Sequence, residues 1–395
     1  MLTRCQNILK ILEKGRSTFL FGARGTGKTS LLDDSLHDWP SLLRIDLLHG
    51  EAFQRYASRS EQLGAELRAH LKQTTHPLTL VAIDEVQKLP SLLDEVHSLI
   101  ESYKGRAAFV LTGSSARKLK RGGANLLAGR ALTRHLHPLS SMELDLDLSR
   151  ALRFGTLPAI YLDTQAFEIT TLEAYVSTYL REEIQAEALV RQVDRFARFL
   201  ELAAQLNGEP INFAKFGRQC GVTTKTAQEY FSILVDTLIC MRLDGWSHSI
   251  KRQLLQAPKF YFFDCGVVSA LTGELRSEIK QSSFRFGRLF ETFVIQEMVR
   301  RSDYLDLGLR FNYWRDKDGH EVDVIVSRTN SKPLLAIEIK SSSQPAAEDL
   351  TSLALFAAEY PDVPQYCLCT TPRAFTLGPV TALPWLEGLR LLAEL

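Results

Sequence analysis

The stretch Phe19–Ser30, F-L-F-G-A-R-G-T-G-K-T-S, constrains this chain more than any other. Gly22, Gly27, Lys28 and Thr29 satisfy G-x-x-x-x-G-K-[ST] without a mismatch. An apolar run, Phe19 to Phe21, leads into the glycines, and a helical pattern of Leu31, Leu32 and Leu36 leads out. Strand, glycine loop and helix in that order make a phosphate cradle. Glycine lets the backbone wrap closely and aim its N–H groups inward, and the positive end of the following helix adds to the field. Gly22, Ala23, Arg24, Gly25, Thr26, Gly27, Lys28, Thr29 and Ser30 are therefore the candidate nucleotide-binding loop. Lys28 would reach the β- and γ-phosphates of ATP, and the Thr29 hydroxyl would ligate Mg2+. A glycine-rich turn with a chance lysine is the bland alternative, and the flanking pattern argues against it.

The text around the loop alternates strand and helix. Strand-like runs occur at Thr18–Phe21, Leu42–Leu48, Leu78–Ile83, Phe109–Thr112 and Ala131–Leu136, with helical patterns such as Leu92, Leu93, Val96, Leu99 and Ile100 between them. This order predicts a parallel sheet covered on both faces. The third run ends L-V-A-I-D-E, and Asp84 follows Thr29 by 55 residues. Acids at the carboxyl end of such a strand lie where ligands bind. Asp84 is expected to hold Mg2+ through water, and Glu85 to polarise the attacking water. Ser114, in L-T-G-S-S-A, is the candidate γ-phosphate contact, with Thr112 and Ser115 behind it; a plain turn is the competing reading. Arg130, in L-A-G-R, would sense the γ-phosphate in cis or reach a neighbouring subunit, against a purely structural arginine.

At 395 residues the chain exceeds one ordinary core. The expected division is 1–150, a P-loop ATPase domain; 151–257, a helical connector and winged-helix-like module; and 258–395, a further α/β domain. No apolar run reaches the length of a membrane span, and the charged N-terminus lacks a signal-peptide core, so the expectation is a cytoplasmic protein without membrane association. The six cysteines form no C-x-x-C and no zinc spacing, so buried thiols are expected. Net charge is +1, which gives no global field for nucleic acid. Locally, Lys104, Arg106, Arg117, Lys118, Lys120, Arg121, Arg130 and Arg134 form a basic stretch that suits either a solvated loop or a phosphate-binding surface.

In the middle third, Gly155 to Pro158 precede amphipathic text containing Tyr175, Tyr179 and Leu180. Phe196, Phe199, Leu200 and Ala203 share one helix face. A short helix from Phe213 to Gly221 follows, then a third that Thr223 would cap, with Ala227, Tyr230, Phe231, Leu234 and Leu238 inward. That is helix-turn-helix order, with the run Leu238–Leu243 as a wing. Thr224, Lys225 and Gln228 would face a DNA groove, unless the module serves only for packing.

The last third holds a second constellation. Glu291 lies on a helical pattern, Asp323 in G-H-E-V-D-V-I-V, and Glu338 and Lys340 in A-I-E-I-K-S-S. Asp323 and Glu338 are 15 residues apart, enough for a strand, a turn and the next strand. Alternation puts Glu338 and Lys340 on one face. Two carboxylates would hold a second Mg2+ or a Mn2+, with Lys340 orienting a water and Glu291 completing the shell. This is the D…(E/D)-x-K pattern of the PD-(D/E)xK nucleases, here without the proline. Charged strand ends, or a nuclease-like fold without catalysis, are the alternatives.

Taken together, the chain resembles a family of bacterial and archaeal AAA-type ATPases. Its members join a P-loop domain to a C-terminal domain of unknown function with a PD-(D/E)xK-like core. The matching text is G-A-R-G-T-G-K-T-S, I-D-E-V-Q-K-L-P, L-T-G-S-S-A, L-A-G-R with P-L-S-S-M-E, R-F-G-R-L-F-E-T-F-V, and G-H-E-V-D with E-I-K-S-S. The resemblance implies an α/β fold with a winged-helix middle, and ATP binding and hydrolysis with Mg2+. No arginine-finger motif stands out, which leaves an oligomer open. The residues support an ATP-dependent nuclease or DNA-processing ATPase. The competing reading is a nucleotide-driven switch whose nuclease-like domain is a silent binding module.

Overall fold

The computed structural model describes residues 3–115, 117, 119, 127, 129–180, 193–247, 249 and 256–395. Lys118, Lys120 and Arg121 of the basic stretch lie outside the described residues, as do the side chains of Tyr179 and Leu180. The chain divides into two compact units, Met1–Pro138 with Asp236–Leu238, and Leu139–Val235 with Ile239–Leu395.

Among the described residues, the first unit is built on strands β1 (Ser17–Phe21), β2 (Leu42–Asp46), β3 (Thr79–Asp84), β4 (Ala107–Gly113) and β5 (Ala131–His135). They form one sheet in the order β2-β3-β4-β1-β5, and every neighbouring pair is parallel. Alternation along buried strands divides their apolar residues between two faces. Phe19, Phe21, Val81, Ile83, Phe109 and Leu111 pack with Leu63, Leu67, Leu92 and Val96 of helices Gln62–Gln73 and Leu92–Ser102. Leu20, Leu80, Ala82 and Val110 pack on the other side with Leu31, Leu32 and Leu36 of helix Lys28–Leu36. All the carboxyl ends therefore point the same way, and the loops that follow β1, β3 and β4 gather at one edge.

The second unit opens with helices Leu148–Phe154, Pro158–Tyr161 and Glu168–Ala174, followed by Val193–Gln205, Phe213–Cys220 and Thr224–Asp236. Asn212 caps the second of the latter three, accepting from Ala214 N and Lys215 N, and Gly221 ends it at φ 69°. Thr223 Oγ1 accepts from Thr226 N at 3.1 Å, the cap expected for the third. Phe199 lies against Phe216, Tyr230 and Phe231, with ring centroids 4.9–5.4 Å apart. Strands β6 (Cys240–Gly245) and β7 (Lys259–Phe262) form an antiparallel pair, and Phe260 of β7 stacks on Phe231 at 4.2 Å.

This hairpin also belongs to a larger sheet. β8 (Arg310–Arg315), β9 (Glu321–Ser327), β10 (Pro333–Lys340), β11 (Gln365–Cys369), β12 (Phe375–Leu377) and β13 (Val380–Pro384) join it in the order β12-β13-β11-β10-β9-β8-β6-β7. The division drawn from sequence at 257/258 thus runs through one sheet. Asp316–Gly319 turns β8 into β9, with Asp316 Oδ1 accepting from Asp318 N and His320 N. β8, β9 and β10 are antiparallel, helix Thr351–Glu359 crosses over, and β11 returns parallel to β10. Cys220, Cys240, Cys265, Cys367 and Cys369 are buried free thiols, and Cys5 is partly exposed.

Helix Phe284–Tyr304 carries a buried polar network. Arg300, 2 % exposed, donates to Leu139 O (2.9 Å), Thr156 Oγ1 (3.0 Å), Phe263 O (3.1 Å) and Glu297 Oε1 (3.0 Å). Asp264, fully buried, accepts from Gly266 N, Val267 N and Thr156 N. It thereby caps helix Cys265–Leu271 and pins the Gly155 turn. Gly155 has φ 74°, and a Cβ there would lie 1.8 Å from Asp264 Oδ1, so the G-T-L-P turn admits no side chain. Asp264→Ala removes the cap and strands the Thr156 N–H. A loss of about 3 kcal/mol is expected in chemical denaturation of the full chain; Asp264→Asn, which keeps an acceptor, loses less.

Candidate functional site

β1 ends at Phe21 and the chain wraps through Gly22, where a Cβ would sit 2.4 Å from Leu136 O. Gly25 and Gly27 adopt φ of 82° and 90°, the left-handed region that only glycine enters cheaply. Thr26 Oγ1 closes the loop onto Ala23 O at 2.9 Å. Lys28, 5 % exposed, crosses it and donates from Nζ to Gly22 O (2.8 Å) and Ala23 O (3.4 Å). Ala23 is buried, while Arg24, Thr29 and Ser30 are exposed.

The tips of the neighbouring strands are wired to this loop. Thr29 Oγ1 donates to Asp84 Oδ2 at 2.7 Å, and the other oxygen of Asp84 accepts from Thr112 Oγ1. Thr112 Oγ1 in turn accepts from Glu85 N at 3.1 Å. Asp84 is 1 % exposed. A hydroxyl and a carboxylate side by side suit a hard divalent cation, and the ammonium and glycine N–H groups beside them suit phosphates, so the donor set fits Mg·ATP. Glu85 stands at φ 57°, a costly conformation for a non-glycine residue and one that clusters at working sites. Its carboxylate accepts from Gln87 Nε2, which also donates to Ser114 Oγ at 3.0 Å.

Arg130 is not brought to this site. It directly precedes β5, whose Ala131 pairs with Ser17 at the start of β1, whereas the glycine loop follows the far end of β1. Its guanidinium forms an ion pair with Glu101. A cis γ-phosphate contact from Arg130 is therefore corrected: parallel strand direction puts it at the opposite edge of the sheet.

In the second unit, Asp323, Glu338 and Lys340 do come together. Lys340 Nζ lies 2.8 Å from Glu338 Oε1, as expected for two residues on one strand face. Asp323 Oδ2 accepts from Ile339 N at 2.7 Å, tying β9 to the E-I-K segment of β10. Glu338 is 4 % exposed, and its Oε2 has no hydrogen-bond partner among the described residues. Burial and the neighbouring Asp323 push the Glu338 carboxyl well above the usual range. An orphaned buried carboxylate oxygen next to a second carboxylate fits a divalent cation that takes its remaining ligands from water or substrate. Among the described residues, no three His, Cys, Asp or Glu side chains gather closely enough to hold a metal ion alone. Glu291 thus does not complete a three-carboxylate shell in this conformation; its Oε1 instead accepts from Tyr261 OH at 2.6 Å. Beyond Lys340, Ser341 and Ser343 line a cavity of ≈ 670 Å³ with Thr370, Phe286, Gln281 and Asp145.

Sequence reasoning missed three members of this cluster. Lys259, 3 % exposed, pairs with Glu321, and Glu291, Glu321 and Asp323 together hold the ammonium up to about 12 against the effect of burial. Tyr261 shares its strand face. The signal was the alternation K-F-Y-F, in which a charge and a hydroxyl fall opposite two phenylalanines.

Comparison with known proteins agrees with this layout. Residues 14–144 match the family model of an AAA domain. Residues 145–278 and 286–387 match two models described as domains of unknown function (DUF8612 and DUF4143). An uncharacterized protein of Mycobacterium tuberculosis is 26 % identical over 305 residues, 74 % of this chain and 67 % of that protein. One from Haemophilus influenzae is 20 % identical over 347 residues, 82 % of this chain and 83 % of that protein. Among solved structures, a Pif1 helicase from Candida albicans has a TM-score of 0.27 and 17 % identity, over 44 % of this chain and 48 % of that one. A DNA polymerase III gamma subunit-related protein from Thermotoga maritima has a TM-score of 0.27 and 14 % identity, over 75 % and 99 %. Overlaps that low carry no argument here. The family matches support an AAA-type ATPase domain followed by two domains of unknown function.

The carboxylate cluster has a pH signature. Burial, with Asp323 nearby, raises Glu291 from 4.5 to about 7. A carboxyl with a raised folded pKa contributes stability that is fully present below its unfolded value and is lost as pH rises through about 7. Glu291→Gln has no such loss. Between pH 5 and 8, in chelator, the variant is expected to gain about 2 kcal/mol on the wild type, read from denaturant midpoints. A gap that does not change with pH would contradict the placement.

Proposed function

We propose that this protein hydrolyses ATP with Mg2+ in its first unit and couples that turnover to metal-dependent phosphodiester cleavage, on DNA, in its second. The observation that carries the ATPase reading is the contact of Thr29 with Asp84, which sets a hydroxyl and a carboxylate beside the glycine loop and Lys28. Thr29 and Asp84 would hold Mg2+, which would supply neutralisation of the phosphate charge. Lys28 and the loop N–H groups orient the phosphates, Glu85 aligns the attacking water, and Ser114 contacts the γ-phosphate.

The nuclease reading is supported by the Asp323, Glu338 and Lys340 cluster and its unpartnered oxygen. Asp323 and Glu338 would hold Mg2+ or Mn2+, Lys340 would orient water, and Glu291 would hold a second ion. The three-helix module with its β6–β7 hairpin supports a winged-helix-like reading, with Thr224, Lys225 and Gln228 exposed at the start of its third helix. One observation favours the switch with a silent nuclease-like domain: the Glu338–Lys340 ion pair and the Asp323–Ile339 hydrogen bond already satisfy part of the cluster internally.

Two substitutions separate these parts. Lys28→Ala is expected to lower ATP turnover roughly 100-fold or more and to weaken nucleotide binding; undiminished phosphate release would sink the ATPase assignment. Asp323→Ala is expected to abolish divalent-ion-dependent DNA cleavage and to leave ATP turnover within about twofold. A wild-type protein that cuts no DNA or RNA under any condition supports the switch instead.

A further inference from the structure

One buried amide in the first unit bonds two of the residues to which the proposed ATP chemistry gives a role. Gln87 lies on the short turn Val86–Lys88 after β3 and is 6 % exposed. Its Nε2 donates both to the Glu85 carboxylate and to Ser114 Oγ. Its Oε1 is buried and has no hydrogen-bond partner among the described residues. An unmet buried acceptor is costly, because it loses its hydration without a replacement.

The neighbouring strand makes room for this amide. Gly113 ends β4, and a Cβ there would lie 2.7 Å from Gln87 Oε1, while its next contact, a Phe21 ring atom, is at an ordinary 3.4 Å. The far end of Gln87 is thus what a side chain at position 113 would displace. The tips of β3 and β4 are already tied once by Thr112, through Asp84 and Glu85 N. Gln87 ties them a second time, side chain to side chain.

We infer that Gln87 is a positioning residue for ATP hydrolysis, joining the Glu85 carboxylate to the Ser114 hydroxyl. The inference rests on the reading of Glu85 and Ser114 given above and adds the group that links them. A hydroxyl contacting the γ-phosphate at the tip of β4 then fixes the direction of the carboxylate at the tip of β3. Gln87 gains and loses no proton in the reaction. Its contribution is orientation, and a misplacement of about 1 Å can cost on the order of 100-fold in rate.

The test is steady-state ATP hydrolysis by full-length Gln87→Ala, Gly113→Ala and the double variant, with thermal midpoints measured alongside. Gln87→Ala is expected to lower kcat roughly 10- to 100-fold with KM for ATP within about twofold. Gly113→Ala lowers kcat in the same way, because its methyl group moves the amide. The double variant is no slower than Gln87→Ala, since the collision has gone. Undiminished kcat in Gln87→Ala overturns the inference. So do rate losses that multiply in the double variant, or a kcat loss matched by a rise in KM and a collapse of the thermal midpoint. Glu85→Gln distinguishes the two levels. A slow Glu85→Gln beside a full-speed Gln87→Ala removes this inference alone, whereas a full-speed Glu85→Gln removes the reading beneath it.

Discussion

Asp84 is the point on which the first unit's chemistry depends. Its carboxylate is 1 % exposed and held by two hydroxyls, Thr29 from the glycine loop and Thr112 from β4. A carboxylate that deep is tolerable because charge-assisted hydrogen bonds replace the water it lost. The same bonds bring the tips of β1, β3 and β4 into register at one edge. Parallel pairing makes that arrangement possible: every strand delivers its carboxyl end to the same side.

The second unit solves a related problem with a mixed sheet. Antiparallel β9 and β10 bring Asp323 and Glu338 together, and the long helix Phe284–Tyr304 brings Glu291. Strand β7 then faces two ways. Phe260 stacks into the aromatic core of the three-helix module, while Lys259 and Tyr261 meet the carboxylates. A rearrangement of that module would therefore move residues that touch Glu321 and Glu291. Lys259 offsets part of the repulsion among Glu291, Glu321 and Asp323, which burial would otherwise make costly.

Local patterns carried much of this arrangement. The glycine loop, the acids at the end of β3 and the E-I-K strand were legible because each depends on a few adjacent residues and a fixed period. Thr223 as a cap was legible for the same reason. Strands β12 and β13 were not, since they are short and depend on their neighbours, β13 on β11 and β12 on β13, rather than on their own sequence. The cis γ-phosphate contact offered for Arg130 does not form, because spacing indicates a strand nearby but not which end of the sheet it adjoins. The K-F-Y-F alternation marks Lys259 as an inward charge but does not name its partner, which lies 62 residues away, and the Gln87 partner Ser114 lies 27 residues away. The Arg300 and Asp264 network is hidden for the same reason: a buried polar residue in a helical or strand-like run is ordinary until its distant acceptors are known.

The central claim is that the geometry around Asp84 makes the first unit a Mg2+-dependent ATPase. The most direct measurement is phosphate release by the purified wild-type chain from ATP, with Mg2+ and with chelator in its place, in the presence and absence of DNA. The account predicts multiple turnovers with Mg2+ and none in chelator. Phosphate release no greater than the protein-free blank under every condition would contradict it.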